Sequence, residues 1–114
     1  MRRFVLALAC PMLATPALAH AFLDKAIPAA GDSVKGSPTQ VELHFSEALE
    51  PAFSAVTVQG ESGEDEEAAA TMVSGKILRV RLKSLKPGRY EVRWTAVSID
   101  THRTEGAYKF SVLP

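Results

Sequence analysis

The chain has 114 residues with 13 basic and 13 acidic side chains, so its formal net charge is zero. This length fits one domain with a single modest core, and the balanced charge provides no concentrated basic face of the kind that binds nucleic acid. After residue 20, no apolar run approaches the roughly 20 residues that cross a bilayer. The composition therefore argues against a nucleic-acid partner and against a membrane span in that part of the chain.

The first nineteen residues have the pattern of a secretory signal peptide. Two arginines follow the first methionine, an apolar core extends from Phe4 to about Met12, and Ala17-Leu18-Ala19 has the small-x-small pattern of a cleavage site. Cleavage after Ala19 leaves a single domain of residues 20–114 with 11 basic and 13 acidic side chains, a net charge of −2. The pattern therefore predicts an exported, soluble protein that begins at His20.

The one cysteine, Cys10, lies within this segment and suggests an alternative. Bacterial lipoproteins are cut just before a cysteine that follows a short lipobox, but Ala7-Leu8-Ala9 lacks the large apolar residue usual three positions before that cysteine. The apolar core ahead of Cys10 would also be very short, so we favour cleavage after Ala19. The mature protein then has neither a disulfide nor a thiolate ligand.

From residue 20 onward, the sequence predicts short strands separated by turns. Turn residues cluster at 28–33 and 36–38. Apolar and polar side chains alternate between Gln40 and Ser46, which is the period of a half-buried strand, and a shorter strand is predicted over 55–58. The Glu47–Phe53 segment has room for one short helical turn, which Pro51 limits. The acidic stretch Glu61–Glu67 is typical of a solvated hairpin tip.

The rest of the chain continues this pattern. Strands are predicted over 71–73 and 77–83, and Lys86–Arg89 contains the Pro-Gly pair of a turn. Two further strands are predicted over 90–97 and 108–112, where apolar and aromatic side chains again alternate with polar ones. About seven short strands indicate an all-β domain, a single antiparallel Greek-key sandwich or barrel.

The Ser98–His102 segment carries the most suggestive chemistry, because it follows the best-defined strand. If the segment stays extended, Asp100 and His102 point to the same side and place a carboxylate and an imidazole within reach of one ion. Asp-x-His triplets are common, so this motif is weak when taken alone. The alternative is a loop aspartate that caps a turn beside an exposed histidine.

His20 strengthens the case for a metal site at Asp100 and His102. A histidine at a free N-terminus can bind a metal through both its α-amine and its imidazole. Together with Asp100 and His102 it offers three nitrogens and one oxygen, a set that in a tetragonal plane suits Cu(II) better than tetrahedral zinc. Nothing in the local pattern brings His20 to His102, so their proximity has to come from the fold.

The mature chain resembles the CopC/PcoC family of periplasmic copper-binding proteins over essentially its whole length. The similarity is carried by His20–Leu23, Pro28–Gly31, Val41–Glu47, and above all Gly88–His102, followed by Gly106 and the final strand. This resemblance implies an immunoglobulin-like Greek-key β-barrel. It also implies a Cu(II) site made by His20, Asp100 and His102, with copper as the cofactor and no catalytic residues.

Two departures from the family pattern stand out. Many relatives have proline after the last ligand histidine, where this chain has Arg103. Some relatives carry a Cu(I) site in a methionine-rich loop, where soft thioethers select the soft ion. The mature chain here has one methionine, Met72, and the corresponding stretch is acidic. The sequence therefore predicts Cu(II) binding without a Cu(I) site.

Three functions remain open from the sequence. The favoured one is a periplasmic carrier, monomeric and not an enzyme, that buffers copper for homeostasis or resistance or delivers it, with a multi-spanning inner-membrane copper transporter as a partner. The second is a copper enzyme with a histidine-brace-like site, although such domains are usually much larger. The third is an exported immunoglobulin-like interaction module without metal, which leaves the position of His20 unexplained.

Three further side chains bear on these alternatives. His44 lies on the polar face of its predicted strand, where a surface or packing role is favoured over metal binding. Glu47 follows closely and is a candidate to orient a ligand imidazole. Trp94 alternates with Tyr90 and Val92, so we expect it to pack in the core.

Overall fold

The computed structural model describes residues 21–114, so the predicted signal peptide and His20 lie outside the described residues. The described chain forms eight strands and one short 3-10 helix, η1. In chain order these are β1 (Leu23–Ile27), β2 (Ser33–Lys35), β3 (Gln40–Phe45), η1 (Pro51–Phe53), β4 (Ala55–Gly60), β5 (Met72–Ser74), β6 (Ile77–Arg81), β7 (Gly88–Val97) and β8 (Arg103–Leu113).

The strands form two four-stranded sheets that face each other. One has the order β1-β3-β6-β5, and the other has the order β2-β8-β7-β4. All pairs are antiparallel except β2 with β8, which is parallel. Non-consecutive strands are neighbours in both sheets, which confirms the predicted all-β, Greek-key sandwich.

Alternating side chains from both sheets fill the space between them. In β3, Val41, Leu43 and Phe45 are buried while the residues between them are half-exposed. The same alternation in β4, β6 and β7 directs one face of each strand inward, as expected when one face of each sheet meets the other sheet and one meets water. Trp94 is half-buried and its ring meets Phe45 edge-on, with ring centroids 5.1 Å apart, so it packs against the core as expected.

Two strands were not predicted, and both lie at sheet edges. β1 has no clear alternation of buried and exposed residues, and it pairs with β3 through a register shift between Leu23 and Lys25. β2 falls mostly between the two predicted turns, where no strand was expected, because its three residues become a strand by pairing with β8, almost eighty positions further along the chain. Edge strands with a distant partner leave a weak local signal.

Within residues 21–114, no helix has the length and apolar character needed to span a membrane.

Candidate metal centre

The segment from Ser98 to His102 is a tight turn that joins β7 to β8. The Ser98 amide donates to the His102 carbonyl at 2.9 Å, and the Thr101 amide donates back to the Ser98 carbonyl at 2.7 Å. Thr101 has φ of +76°, in the left-handed region that non-glycine residues rarely adopt. The extended geometry considered from the sequence is therefore wrong, because the long β7–β8 hairpin has to reverse direction here.

The turn nevertheless brings the two predicted ligand side chains together. The His102 Nδ1 atom lies 3.5 Å from the Asp100 Oδ1 atom, and about half of each side chain is exposed, 52% for His102 and 47% for Asp100. The Ser98 hydroxyl donates to Asp100 Oδ1. This hydrogen bond, with a smaller contribution from His102, holds the pKa of the Asp100 carboxyl below its usual range. An ionised carboxylate and an imidazole therefore share one accessible surface.

The first described residues are anchored close to this turn. Ala21 is completely buried, and its carbonyl accepts a 2.8 Å hydrogen bond from the hydroxyl of Thr104, two residues after His102. Phe22 and Ser46 also hold each other: the Phe22 amide donates to Ser46 Oγ, and the Ser46 amide donates to the Phe22 carbonyl, both at 2.8 Å. The chain therefore enters the sandwich at the end that carries Asp100 and His102.

The loop after β3 completes this end of the molecule. The Ile99 amide donates to the Ala48 carbonyl at 3.1 Å, and the Glu50 amide donates to the Val97 carbonyl at 2.7 Å. Glu47 is exposed and directly precedes Ala48. The loop thus runs from the end of β3, which lies beside Phe22, to the turn that carries Asp100.

The described residues alone do not supply a complete set of metal ligands. Among residues 21–114, no group of three or more His, Cys, Asp or Glu side chains is arranged to hold a metal ion. Asp100 and His102 provide one oxygen and one nitrogen donor. The third predicted ligand residue, His20, lies outside the described residues, so its place relative to this pair stays a prediction.

The sequence of the chain matches a known family. The profile of the CopC domain matches residues 23–113, which is nearly all of the described chain. The chain belongs to the CopC domain family. The resemblance inferred from the sequence motifs is thereby confirmed, and the turn with Asp100 and His102 lies inside the matched region.

Curated relatives of this CopC domain include bacterial proteins of similar length. Protein YobA of Escherichia coli K12 is 41% identical over 115 residues, covering 96% of this chain and 93% of YobA. Copper resistance protein C of Escherichia coli is 34% identical over 88% of this chain and 86% of that protein. The copper transport protein CutJ of Bacillus subtilis is 31% identical over 95% of this chain, but the match spans only 21% of CutJ.

Solved structures show the same architecture. The crystal structure of CopC from Methylosinus trichosporium OB3b superposes with a TM-score of 0.77 at 33% identity, covering 83% of this chain and 95% of that one. The structure of PcoC, described as a methionine-rich copper resistance protein from Escherichia coli, gives a TM-score of 0.70 at 32% identity, covering 82% and 98%. The two-sheet fold described above is therefore the CopC fold.

In this CopC domain His44 belongs to a polar cluster on the outer face of the first sheet. Its Nε2 atom lies 2.6 Å from Glu42 Oε2, and Arg79 Nε donates to Glu42 Oε1 at 2.8 Å. The hydrogen bond from His44 and then the one from Arg79 lower the pKa of Glu42. His44 thus pairs with Glu42 on the same face of β3, which agrees with the surface or packing role favoured from the sequence.

The acidic stretch after β4 is more structured than its sequence indicates. Residues 61–65 are exposed, as expected for a solvated tip. Glu67, however, accepts a hydrogen bond from the Val58 amide at 2.8 Å through Oε2, along the outer edge of β4. The carboxylate satisfies a backbone donor that would otherwise lack a strand partner. Sequence reasoning missed this role because charge alone indicates solvent exposure.

Proposed function

We propose that this CopC-domain protein binds Cu(II) in the periplasm and buffers or delivers copper for homeostasis or resistance. The observation that carries the proposal is the approach of Asp100 to His102, 3.5 Å apart, beside the segment that directly follows His20 in sequence. The names of its relatives, copper resistance protein C and copper transport protein CutJ, support copper as the metal.

The proposed ligands are His20, Asp100 and His102. Consecutive α-carbons are 3.8 Å apart, and Ala21 is tied to Thr104, two residues beyond His102. After cleavage behind Ala19, the amine and imidazole of His20 would thus belong to a residue one peptide bond from an anchored position. This short covalent distance supports a shared site with the Asp100–His102 pair.

The chemistry of this donor set favours Cu(II). Three nitrogens and one carboxylate oxygen in a tetragonal arrangement suit Cu(II), which also lies above the other divalent ions of its row in affinity. Asp100 contributes a negative charge that partly offsets that of the ion, and the Ser98 hydroxyl, the main cause of its lowered pKa, stabilises this ionised form. Glu47, in the loop after β3 that meets Ile99, is proposed as an outer partner that orients a ligand imidazole.

A carrier role fits this site better than catalysis. Within residues 21–114 the proposed ligands form one exposed pair at a turn, and binding followed by release requires no chemical step. We propose a monomeric carrier, not an enzyme, that exchanges copper with a multi-spanning inner-membrane transporter. The match to about a fifth of the much longer copper transport protein CutJ supports an association between this domain and transport.

Electron paramagnetic resonance tests the site directly. The mature protein beginning at His20, with one equivalent of Cu(II), should give one tetragonal signal with nitrogen couplings. The matched control carries one extra residue ahead of His20, which moves the free amine away from the histidine and should abolish that signal. A signal that is indifferent to the extra residue, or that matches loosely bound copper, would contradict the proposal and favour the metal-free interaction module.

The preference for Cu(II) over Cu(I) gives a separate prediction. Met72, the one methionine after residue 20, lies on the edge strand β5 and is 62% exposed. One thioether does not make the soft, multi-sulfur site that selects Cu(I). Titration with Cu(I) under reducing conditions should therefore show no tight, stoichiometric binding. A tight site of unit stoichiometry that disappears in Met72→Leu would contradict this.

A further inference from the structure

A buried hydroxyl lies directly behind the Asp100–His102 pair. Ser98 is only 1% exposed, and its hydroxyl donates to Asp100 Oδ1. Asp100 itself is about half-exposed, so its carboxylate contacts a buried hydroxyl and is also accessible from solvent. The hydroxyl contacts the carboxylate oxygen that also lies nearest to His102 Nδ1.

The backbone of Ser98 is hydrogen-bonded on both sides within the turn. Its amide donates to the His102 carbonyl, and its carbonyl accepts from the Thr101 amide. The hydroxyl also lies 3.3 Å from the His102 carbonyl, a longer contact than the one it makes to Asp100 Oδ1. Ser98 also forms an isolated antiparallel bridge with Leu49, a buried core residue. The hydroxyl is therefore held in place, and its hydrogen bond constrains the half-exposed Asp100 carboxylate.

We propose that Ser98 is a positioning residue for Cu(II): its buried hydroxyl fixes the Asp100 carboxylate in the orientation that binds the metal beside His102. This proposal rests on the proposed function. A free aspartate on an exposed turn populates several side-chain rotamers, and ordering it on metal binding costs conformational entropy. The Ser98 hydrogen bond supplies that order before the metal arrives, which strengthens binding by preorganisation.

The structure offers a matched control for removal of this hydroxyl. Ser54 is also a buried serine, 5% exposed, and its hydroxyl accepts from the Val97 amide at 3.0 Å, at the same end of β7. Ser54→Ala removes the same atom from a comparable environment without touching Asp100 or His102. A general loosening of this end of the sandwich would therefore appear in both serine variants, whereas loss of positioning would appear only in Ser98→Ala.

The experiment measures the Cu(II) dissociation constant by chelator competition at pH 7.5, in the mature protein beginning at His20. Outer partners of metal ligands typically change affinity 10- to 100-fold when removed, so Ser98→Ala should raise the dissociation constant about 10-fold or more and alter the paramagnetic resonance spectrum. Ser54→Ala should leave both nearly unchanged. Thermal unfolding of the metal-free variants should confirm that each is folded.

A double-mutant cycle separates positioning from a structural effect. If Ser98 acts through the carboxylate, Ser98→Ala should have no further effect on copper affinity in an Asp100→Ala background. An undiminished effect in that background, or equal losses in Ser98→Ala and Ser54→Ala, would overturn the positioning role and leave copper binding intact. Absence of stoichiometric Cu(II) binding by the unmutated mature protein would instead overturn the proposed function, and the positioning role with it.

Discussion

Gly106 shows how one residue determines the packing beneath the candidate site. It pairs with Trp94 across the β7–β8 ladder. A β-carbon placed on Gly106 would lie 2.6 Å from Trp94 Cζ2, well inside the van der Waals contact distance. The indole also makes an edge contact with the Phe45 ring. The absence of a side chain at position 106 is therefore what lets the indole approach β8 so closely.

Gly106→Ala should consequently destabilise the protein. The added methyl forces the indole to move in a packed region, and overpacking of this kind costs about 1–3 kcal/mol of the free energy of unfolding. Urea unfolding followed by Trp94 fluorescence measures the loss. Gly60→Ala is the control, because its β-carbon would meet the end of the flexible Glu64 side chain at 3.0 Å, which can move aside. Equal losses in the two variants would contradict the argument.

At the scale of strands, the sequence predicts the central elements well and the irregular ones poorly. β3, β6 and β7 were predicted because apolar and polar side chains alternate along most of each strand, and the alternating inward positions are largely buried. β8 was predicted only from residue 108, whereas it begins at Arg103. Its early inward positions hold Thr104, which donates to the Ala21 carbonyl, and Gly106, which makes room for the indole. Neither residue gives an apolar signal.

For the candidate site as well, the sequence predicted some features and missed others. The Asp-x-His spacing identified Asp100 and His102, which do lie together. The extended geometry considered for them was wrong, because the reversal between β7 and β8 depends on hydrogen bonds between Ser98, Thr101 and His102 that no apolar pattern encodes. The entry of the chain beside this turn rests on the contact between Ala21 and Thr104, 83 positions apart. A contact of that range is invisible to local periodicity.

The polar cluster on the outer face of the first sheet leads to a prediction about acid stability. His44 and Arg79 lower the pKa of Glu42 in the folded protein below its ordinary value of 4.5. The cluster therefore stabilises the fold above that value, and this contribution is lost as the pH falls through the lowered folded pKa. Glu42→Gln should be less stable than the unmutated protein at pH 7, and the difference should shrink by pH 3.

Urea unfolding at several pH values between 7 and 3 measures this difference. Glu105→Gln is the control, because Glu105 is 67% exposed and meets Arg103 only at 3.5 Å. Such a surface pair contributes little to stability, so this variant should follow the unmutated protein at every pH. A constant stability difference between Glu42→Gln and the unmutated protein across the range would show that charge pairing is not its source.

At the scale of the whole molecule, the residues that stabilise the sandwich are different from those of the proposed metal site. The core between the sheets is apolar, and the side chains of the proposed ligands Asp100 and His102 are on a surface turn whose backbone hydrogen bonds form without them. The domain should therefore fold without copper and gain stability when copper binds. Because a ligand that binds only the native state adds RT ln(1 + [L]/Kd) to the free energy of unfolding, that gain reports the affinity of the site.

The stabilisation by copper should be larger at pH 7.5 than at pH 5. The proposed ligands include an α-amine and two imidazoles, whose ordinary pKa values are about 8 and 6.5, and each must lose its proton to bind metal. Copper should thus raise the unfolding temperature more at pH 7.5 than at pH 5, and each tenfold loss of affinity removes about 1.4 kcal/mol of stabilisation when copper is in excess. Calorimetry with and without an excess of Cu(II), at both pH values, makes the comparison. The double variant Asp100→Ala, His102→Ala should show little copper effect at either pH, while an equal shift at both pH values in the unmutated protein would rule out this ligand set.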